Sequence, residues 1–276
     1  MPNDPDTEIS GVGLSFRPEF NEFWSHIKPC LDCVEYIPDE LASNRPLFES
    51  TKLAVSGLPT MAHSTGLSIG SPDVLNADIL QDLRQTILEI GAVCHSDHLC
   101  FRRSGSLELD NFCLPLTDDT SLSVILENMA LYEGSIGKAI LLENISINGR
   151  LGFSPTLQDE IYLFNALNDE GHKILFDVNN AFMNCKNFDM DMNDYLKQFP
   201  MRAIAGLHIA GHEVEDGWYV DTHMHSISDE VVALTKQVLS RSPAAFVVLE
   251  RDSNSASYDQ LMSELEVIRT AWNAER

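Results

Sequence analysis

Eight short apolar runs recur along this chain, separated by polar turns and by stretches with helical spacing, and that rhythm leaves few architectures open. The runs are Gly11–Phe16, Cys33–Ile37, Thr60–His63, Val93–Phe101, Ala139–Ile145, Lys173–Val178, Ala203–Ile209 and Phe246–Leu249. Several are apolar at nearly every position, as in Ile140-Leu-Leu142 and Ala245-Phe-Val-Val-Leu249. Such strands are buried on both faces, the condition of a parallel sheet covered by helices. Helical periodicity occupies Leu75–Gly91, where Leu75, Ile79, Leu83, Ile87 and Ile90 share one stripe. It returns in Thr156–Gly171, with Ser154-Pro155 as expected cap and first-turn proline, in Asp229–Leu239 and in Tyr258–Trp272. Strands alternating with helices run parallel, and eight such units close on themselves. The expected fold class is therefore α/β, a single-domain (β/α)8 TIM barrel. The length of 276 residues suits it, such barrels having about 250. Residues 1–10 read as a flexible N-terminal segment and 11–276 as the barrel domain. An open dinucleotide-binding sheet is disfavoured, since Gly11-Val-Gly13 is not followed by the rest of a G-x-G-x-x-G loop.

Charge narrows the partners. With 42 acidic and 18 basic side chains the net charge is −24, a field that repels phosphate backbones, so no nucleic-acid partner is expected. A basic partner, a cationic substrate or carboxylates committed to a cation suit it better. No apolar run approaches the ~20 residues that span a bilayer, so no membrane partner is expected. The polar, acidic segment Met1–Ser10 does not read as a signal peptide, which places the chain in the cytoplasm and its six cysteines in the reduced state. Cys30-Leu-Asp-Cys33 is the single CxxC; without a second it does not make a zinc ribbon, and it reads as two small half-buried residues leading into a strand.

Chemistry collects where the strands end. Glu35 closes the second strand and His63 the third; the fourth brings His95, Asp97 and His98, and the fifth Glu143. The sixth brings Asp177, then Asn179 and Asn180; the seventh brings His208, then His212; the eighth brings Glu250, then Asp252. The loop after the seventh adds Asp221, His223 and His225. In a barrel these ends converge on one face, where active sites are built. A bare ionisable group at the end of an apolar strand costs too much to bury, so each must be paired, hydrogen-bonded or bound to a cation. Imidazole and carboxylate without thiolate suit iron, manganese or zinc, and the number of donors exceeds what one ion can use. His26 and His172 read as structural, and His95 as capping or packing. His212 is balanced between supporting a ligand and being one, and His223 is preferred over His225. Asp252 and Glu35 are read as orienting ligands or contacting substrate.

Seven blocks occur in order: Ala62-His63-Ser-Thr-Gly-Leu-Ser-Ile-Gly70, Ser96-Asp-His98-Leu, Leu141-Leu-Glu143-Asn144, Phe176-Asp177-Val-Asn-Asn180, His208-Ile-Ala-Gly-His212, Asp221-Thr-His223 and Leu249-Glu250-Arg-Asp252. Together they resemble the multinuclear non-haem iron-dependent oxidative enzymes. That resemblance implies a barrel holding two or three irons in mixed Fe(II)/Fe(III) states, with O2 as co-substrate. The ligands it implies are His63, His98, Glu143, Asp177, Asn180, His208, Asp221, His223 and Glu250, with Glu143 bridging and Glu143, His98 and Asp177 central to catalysis. Its substrates are cysteines of ribosomally made precursor peptides, oxidised to oxazolone–thioamide pairs or by excision of the cysteine β-carbon. A small partner protein that binds the peptide leader is expected. Two departures from the family pattern, Met183-Asn-Cys-Lys186-Asn187 and Val34-Glu35-Tyr36-Ile37, fall on the substrate-facing rim. The rival reading is a zinc or manganese barrel hydrolase or sugar isomerase, similar to the xylose-isomerase and apurinic-endonuclease groups.

Overall fold

The computed structural model describes residues 9–147, 156–252 and 256–276. Eight parallel strands close into a barrel: β1 (Gly11–Ser15), β2 (Cys33–Tyr36), β3 (Thr60–His63), β4 (Cys94–His98), β7 (Leu141–Glu143), β8 (Ile174–Asp177), β9 (Ile204–Ile209) and β12 (Phe246–Leu249). Each pairs with its neighbour in sequence order, and β1 closes on β12 from Gly11↔Phe246 to Leu14↔Leu249. The expected runs are confirmed and trimmed. Val93–Phe101 divides after His98, and Lys173–Val178 ends at Asp177 because Val178 already begins a helix.

Two hairpins interrupt the alternation: β5 (Phe101–Ser104) with β6 (Leu107–Cys113), and β10 (His212–Glu215) with β11 (Trp218–Asp221). The second turns on Asp216-Gly217, both at positive φ (50° and 82°). An Asp-Gly pair between extended residues is a strong local hairpin signal.

The helices are α1 (Trp24–Ile27), α2 (Arg45–Val55), α3 (Ala77–Ile90), α4 (Asp119–Ile136), α5 (Leu157–Asp169), α6 (Val178–Asn187), α7 (Met192–Gln198), α8 (Asp229–Leu239) and α9 (Tyr258–Ala274). Polar side chains cap them as physical chemistry requires: Asn76 accepts from Asp78 and Ile79 N–H, and Ser257 forms a reciprocal box with Gln260. The expected cap Ser154-Pro155 lies outside the described residues; Thr156 caps α5 in a box with Asp159.

Apolar side chains form two cores. The larger fills the space between strands and helices. The smaller lies inside the barrel and comprises Ile9, Cys33, Met61, Cys94, Leu141, Leu175, Phe246 and Val248. Side chains alternate along a strand, so the residues two positions after Cys33, Met61, Leu141, Leu175 and Val248 point the same way, into the interior one layer higher. Those residues are Glu35, His63, Glu143, Asp177 and Glu250. Cys30 is exposed and Cys33 buried, rather than both half-buried, and all six cysteines are free thiols. Among the described residues no helix is long and apolar enough to cross a membrane.

One buried carboxyl outside this layer carries a pH dependence. Glu160 of α5 is fully buried and accepts a hydrogen bond from Tyr195 O–H at 2.8 Å. Burial pushes its carboxyl up to about 8, against the pull of that hydroxyl. A raised carboxyl pKa means the folded state keeps a proton that the unfolded state releases. Stability therefore falls as pH rises from about 5 to about 8, by up to ~1.4 kcal/mol per pH unit for one group. Glu160→Gln should remove that slope. Urea midpoints of the two proteins across this range measure it, and parallel profiles would refute it.

Candidate metal centre

Each barrel strand that ends in an ionisable residue delivers it to the same layer. Glu143 stands at its middle. Its Oε2 lies 3.3 Å from His63 Nε2 and 3.5 Å from His98 Nε2. Its Oε1 lies 3.0 Å from His208 Nδ1. His208 Nδ1 is also 3.2 Å from Glu250 Oε2, and its other nitrogen is 2.7 Å from Glu35 Oε2. Three overlapping groups have ligand atoms within 4.8 Å of one another: Glu35–His63–His208, His63–His98–Glu143 and Glu143–Asp177–His208–Glu250. Glu143 belongs to two of these groups, and its two oxygens face different histidines.

Neighbouring side chains hold these donors in place. Ser96 Oγ is 2.8 Å from His63 Nδ1. Asp97 accepts from the His98 and Leu67 backbone N–H groups at 2.6 and 3.0 Å. It lies 3.7 Å from His98 Nδ1 and supports that histidine from behind, outside the three groups. Asn144 clamps Asp177: its amide donates to Asp177 C=O at 2.9 Å and accepts from Asp177 N–H at 2.8 Å. Asp177 Oδ1 caps α6 by accepting from Asn180 N–H. Asn180 Nδ2 in turn donates to Asn144 C=O at 3.1 Å.

A second set stands at the rim. His223 Nε2 is 3.1 Å from Asp221 Oδ2 and 3.9 Å from Glu250 Oε2, so this pair adjoins the cluster through Glu250. Asn179 donates to Asp221 Oδ1 at 3.2 Å and lies 2.7 Å from His212 Nδ1, so His212 contacts the rim through Asn179. His225 is exposed, near Thr222 and Glu213. Asp252 donates its backbone N–H to His223 C=O, and its carboxylate is 3.8 Å from Arg17. His95 packs behind β4 against Tyr132 O–H (3.1 Å) and Ala92 C=O (3.2 Å). His26 on α1 and His172 ahead of β8 belong to none of these groups. Ser96, Asn144 and Asn179 stand within the sequence motifs, but their supporting contacts are not legible there, because a polar residue beside a ligand carries no periodic signal.

The layer is electrostatically polarised. Burial would lower the His208 imidazole, but Glu250, Glu35 and Glu143 together hold it well above the usual range. His223 is likewise raised to about 10 by Asp221 and Glu250 against its burial. Burial, followed by the charges of His98 and His208, lowers His63 well below its usual value. Asp177 is raised well above the carboxylate range by burial, then by Glu143, Asp221 and Glu250. Glu250 resists burial and is held low by His208 and His223.

The donor set fits divalent or trivalent cations. Glu35 Oε1, His98 Nδ1, Glu143 Oε2, Asp177 Oδ2 and Asn180 Oδ1 are buried and make no hydrogen bond. Buried polar atoms without partners are rare and costly. Here carboxylate oxygens face imidazole nitrogens at 3.3–3.5 Å without hydrogen-bond geometry, an arrangement that a cation between them satisfies. Carboxylate and imidazole donors without thiolate suit iron, manganese or zinc.

The profile of the RiPP precursor modification enzymes MbnB/TglH/ChrH matches residues 11–273, nearly the whole chain. The chain belongs to this family. It is the multinuclear non-haem iron-dependent oxidative group that the seven motifs resemble. Other relatives carry less specific names. A UPF0276 protein of Acaryochloris marina is 30% identical, over 94% of each chain. One from Caulobacter vibrioides is 28% identical, over 97% of this chain and 96% of its own. Among solved structures, an L-ribulose 3-epimerase aligns with TM-score 0.57 at 11% identity, covering 97% of this chain and 96% of its own. Endonuclease IV from Thermus thermophilus aligns with TM-score 0.52 at 14% identity, covering 96% and 99%. At such identities these two establish a shared barrel fold and nothing about chemistry. Membership in the RiPP precursor modification family makes a peptide-modifying enzyme of this barrel.

Proposed function

We propose that this protein is an O2-dependent, di- or tri-iron oxidoreductase that oxidises a cysteine residue of a ribosomally synthesised precursor peptide. The observation that carries the reading is Glu143, one buried carboxylate whose two oxygens face three histidines from three other strands. His63, His98 and Glu143 would hold one ion; Glu143, Asp177, His208 and Glu250 a second; Asn180, Asp221 and His223 a third. Bound iron supplies a Lewis acid for the substrate thiolate and electrons for dioxygen.

The protein's part is geometric and electrostatic. Ser96, Asp97 and Asn144 fix the donors before substrate arrives, and the apolar layer beneath excludes water from below. Such preorganisation would hold the substrate cysteine in a single orientation over the donors. The mouth is flanked by the two hairpins; Phe112 of β6 packs its ring 4.3 Å from the His98 ring, with the Arg102 guanidinium 5.8 Å above Phe112. An extended peptide crossing this mouth presents one side chain to the metals while its flanks contact the hairpins. The acidic surface favours a basic leader segment or a small leader-binding partner protein. Six free thiols accord with a reducing cytoplasm.

The products in view are β-carbon excision and an oxazolone–thioamide pair. The protein purified anaerobically should contain two or three irons per chain and consume O2 only when a cysteine-bearing precursor peptide is added. A Cys→Ser peptide should abolish that uptake. Zinc or manganese alone at full occupancy, with no O2 uptake, would overturn the reading in favour of a hydrolase or isomerase.

A further inference from the structure

Glu35 is a fully buried charged side chain of the barrel interior and has no place in the ligand set implied by the family motifs. It is fully buried, at 0% exposure, two residues above Cys33 and so directly over the apolar layer that Cys33 shares with Met61 and Cys94. Placing a carboxylate there is costly, and a buried ion pair is weak evidence of a stabilising role, since apolar replacements often do as well. Its hydrogen bond runs to His208 Nε2 at 2.7 Å, while its other oxygen makes none. The opposite edge of that ring, Nδ1, faces Glu143 at 3.0 Å and Glu250 at 3.2 Å.

An imidazole clamped this way has two unlike edges. Nδ1 faces two carboxylates able to share a cation with it; Nε2 is hydrogen-bonded to one carboxylate, with the His63 ring 5.0 Å from the His208 ring. We infer that Glu35 is a positioning residue for the metal centre: it accepts the Nε2 proton of His208 and so directs the Nδ1 lone pair toward the ion held with Glu143, Asp177 and Glu250. A carboxylate on the far nitrogen fixes both the tautomer and the rotation of the ring and makes the ligating nitrogen more basic. Removing such a partner typically costs 10–100-fold in metal affinity. The competing arrangement, in which Glu35, His63 and His208 themselves bind an ion through Nε2, places the proton on Nδ1 instead. The inference rests on the proposed metal centre, and the experiment separates the two.

The probe is zinc alone, titrated into the full chain, with Glu35→Gln and Glu35→Ala as variants. Zinc-loaded wild-type protein carrying 15N-labelled histidine should show His208 protonated at Nε2 and metal-bound at Nδ1. Glu35→Gln, whose amide oxygen still accepts a hydrogen bond at the same volume, should keep the fold and most of the affinity. Glu35→Ala should lose 10–100-fold in affinity for one ion of the set. Zinc on His208 Nε2, or unchanged affinity in a folded Glu35→Ala protein, would overturn the role of Glu35 and leave the centre standing. Failure of the wild-type chain itself to bind zinc or iron would remove the centre and this role together.

Discussion

Glu143→Ala should strip the protein of bound iron and abolish oxidation of the peptide, lowering turnover by at least about a thousandfold, ~4 kcal/mol of barrier. Among the described residues no carboxylate other than Glu143 belongs to two of the candidate groups. Its oxygens lie 3.0–3.5 Å from His208, His63 and His98, and it belongs to two of the three groups able to hold a cation. On the proposed assignment, truncation would remove a donor shared by two of the groups together with its negative charge. The fold should tolerate the loss, because the strand register His98↔Glu143 and Glu143↔Leu175 is made by backbone groups. Glu143→Gln keeps the volume and one donor oxygen, so it should retain part of the metal. Iron counted per chain after anaerobic purification, together with O2 uptake, reads both effects. A Glu143→Ala protein that keeps its iron and turns over within tenfold of wild type would take this residue out of the centre.

Gly211→Ala should lower turnover about a hundredfold while leaving the barrel folded. A Cβ at this position overlaps the backbone carbonyl of His225 and approaches the Ser226 carbonyl oxygen at 2.9 Å. The obstacle is backbone, so no rotamer change relieves it. The chain from His223 to Ser226 has to move instead. That chain holds His223 at φ 49°, a left-handed conformation uncommon for residues other than glycine. It also accepts the hydrogen bond from Asp252 N–H at 2.9 Å that pins His223 beside Glu250. Overpacking of this kind costs about 1–3 kcal/mol, which a domain of this size absorbs. Displacing His223, a proposed donor, by about 1 Å should nonetheless cost about a hundredfold in rate. Gly134→Ala, at a helical position of α4 with open space around the added methyl, is the matched control and should be active. A Gly211→Ala protein with normal rate would show that the His223 loop does not serve the reaction.

The sequence reading missed some elements for physical reasons. The β5–β6 hairpin is largely exposed and its ladder has a register shift between Phe101 and Arg103, so it lacks the alternating apolar pattern that marks a half-buried strand. Without that pattern, Val93–Phe101 reads as one strand although the barrel takes only Cys94–His98. Helix α6 follows Asp177 with no loop at all, because that aspartate is both a centre residue and the cap of the helix. Its pattern is obscured further by being buried around most of its circumference.

The barrel and most of its layer of histidines and carboxylates are legible in the sequence, because both rest on local periodicity. Apolar runs of strand length, repeated eight times between helical stretches, mark parallel strands buried on both faces. An interior residue followed two positions later by a histidine or carboxylate, as in Met61 and His63, Leu141 and Glu143, or Leu175 and Asp177, marks the layer above the floor. Which donors face one another and which hold others in place emerges only on folding. Glu35 and His208 are 173 residues apart in the chain yet 2.7 Å apart in space. Such pairings depend on closure of the ring and on the register between strands, and neither quantity is encoded in the spacing along a single strand.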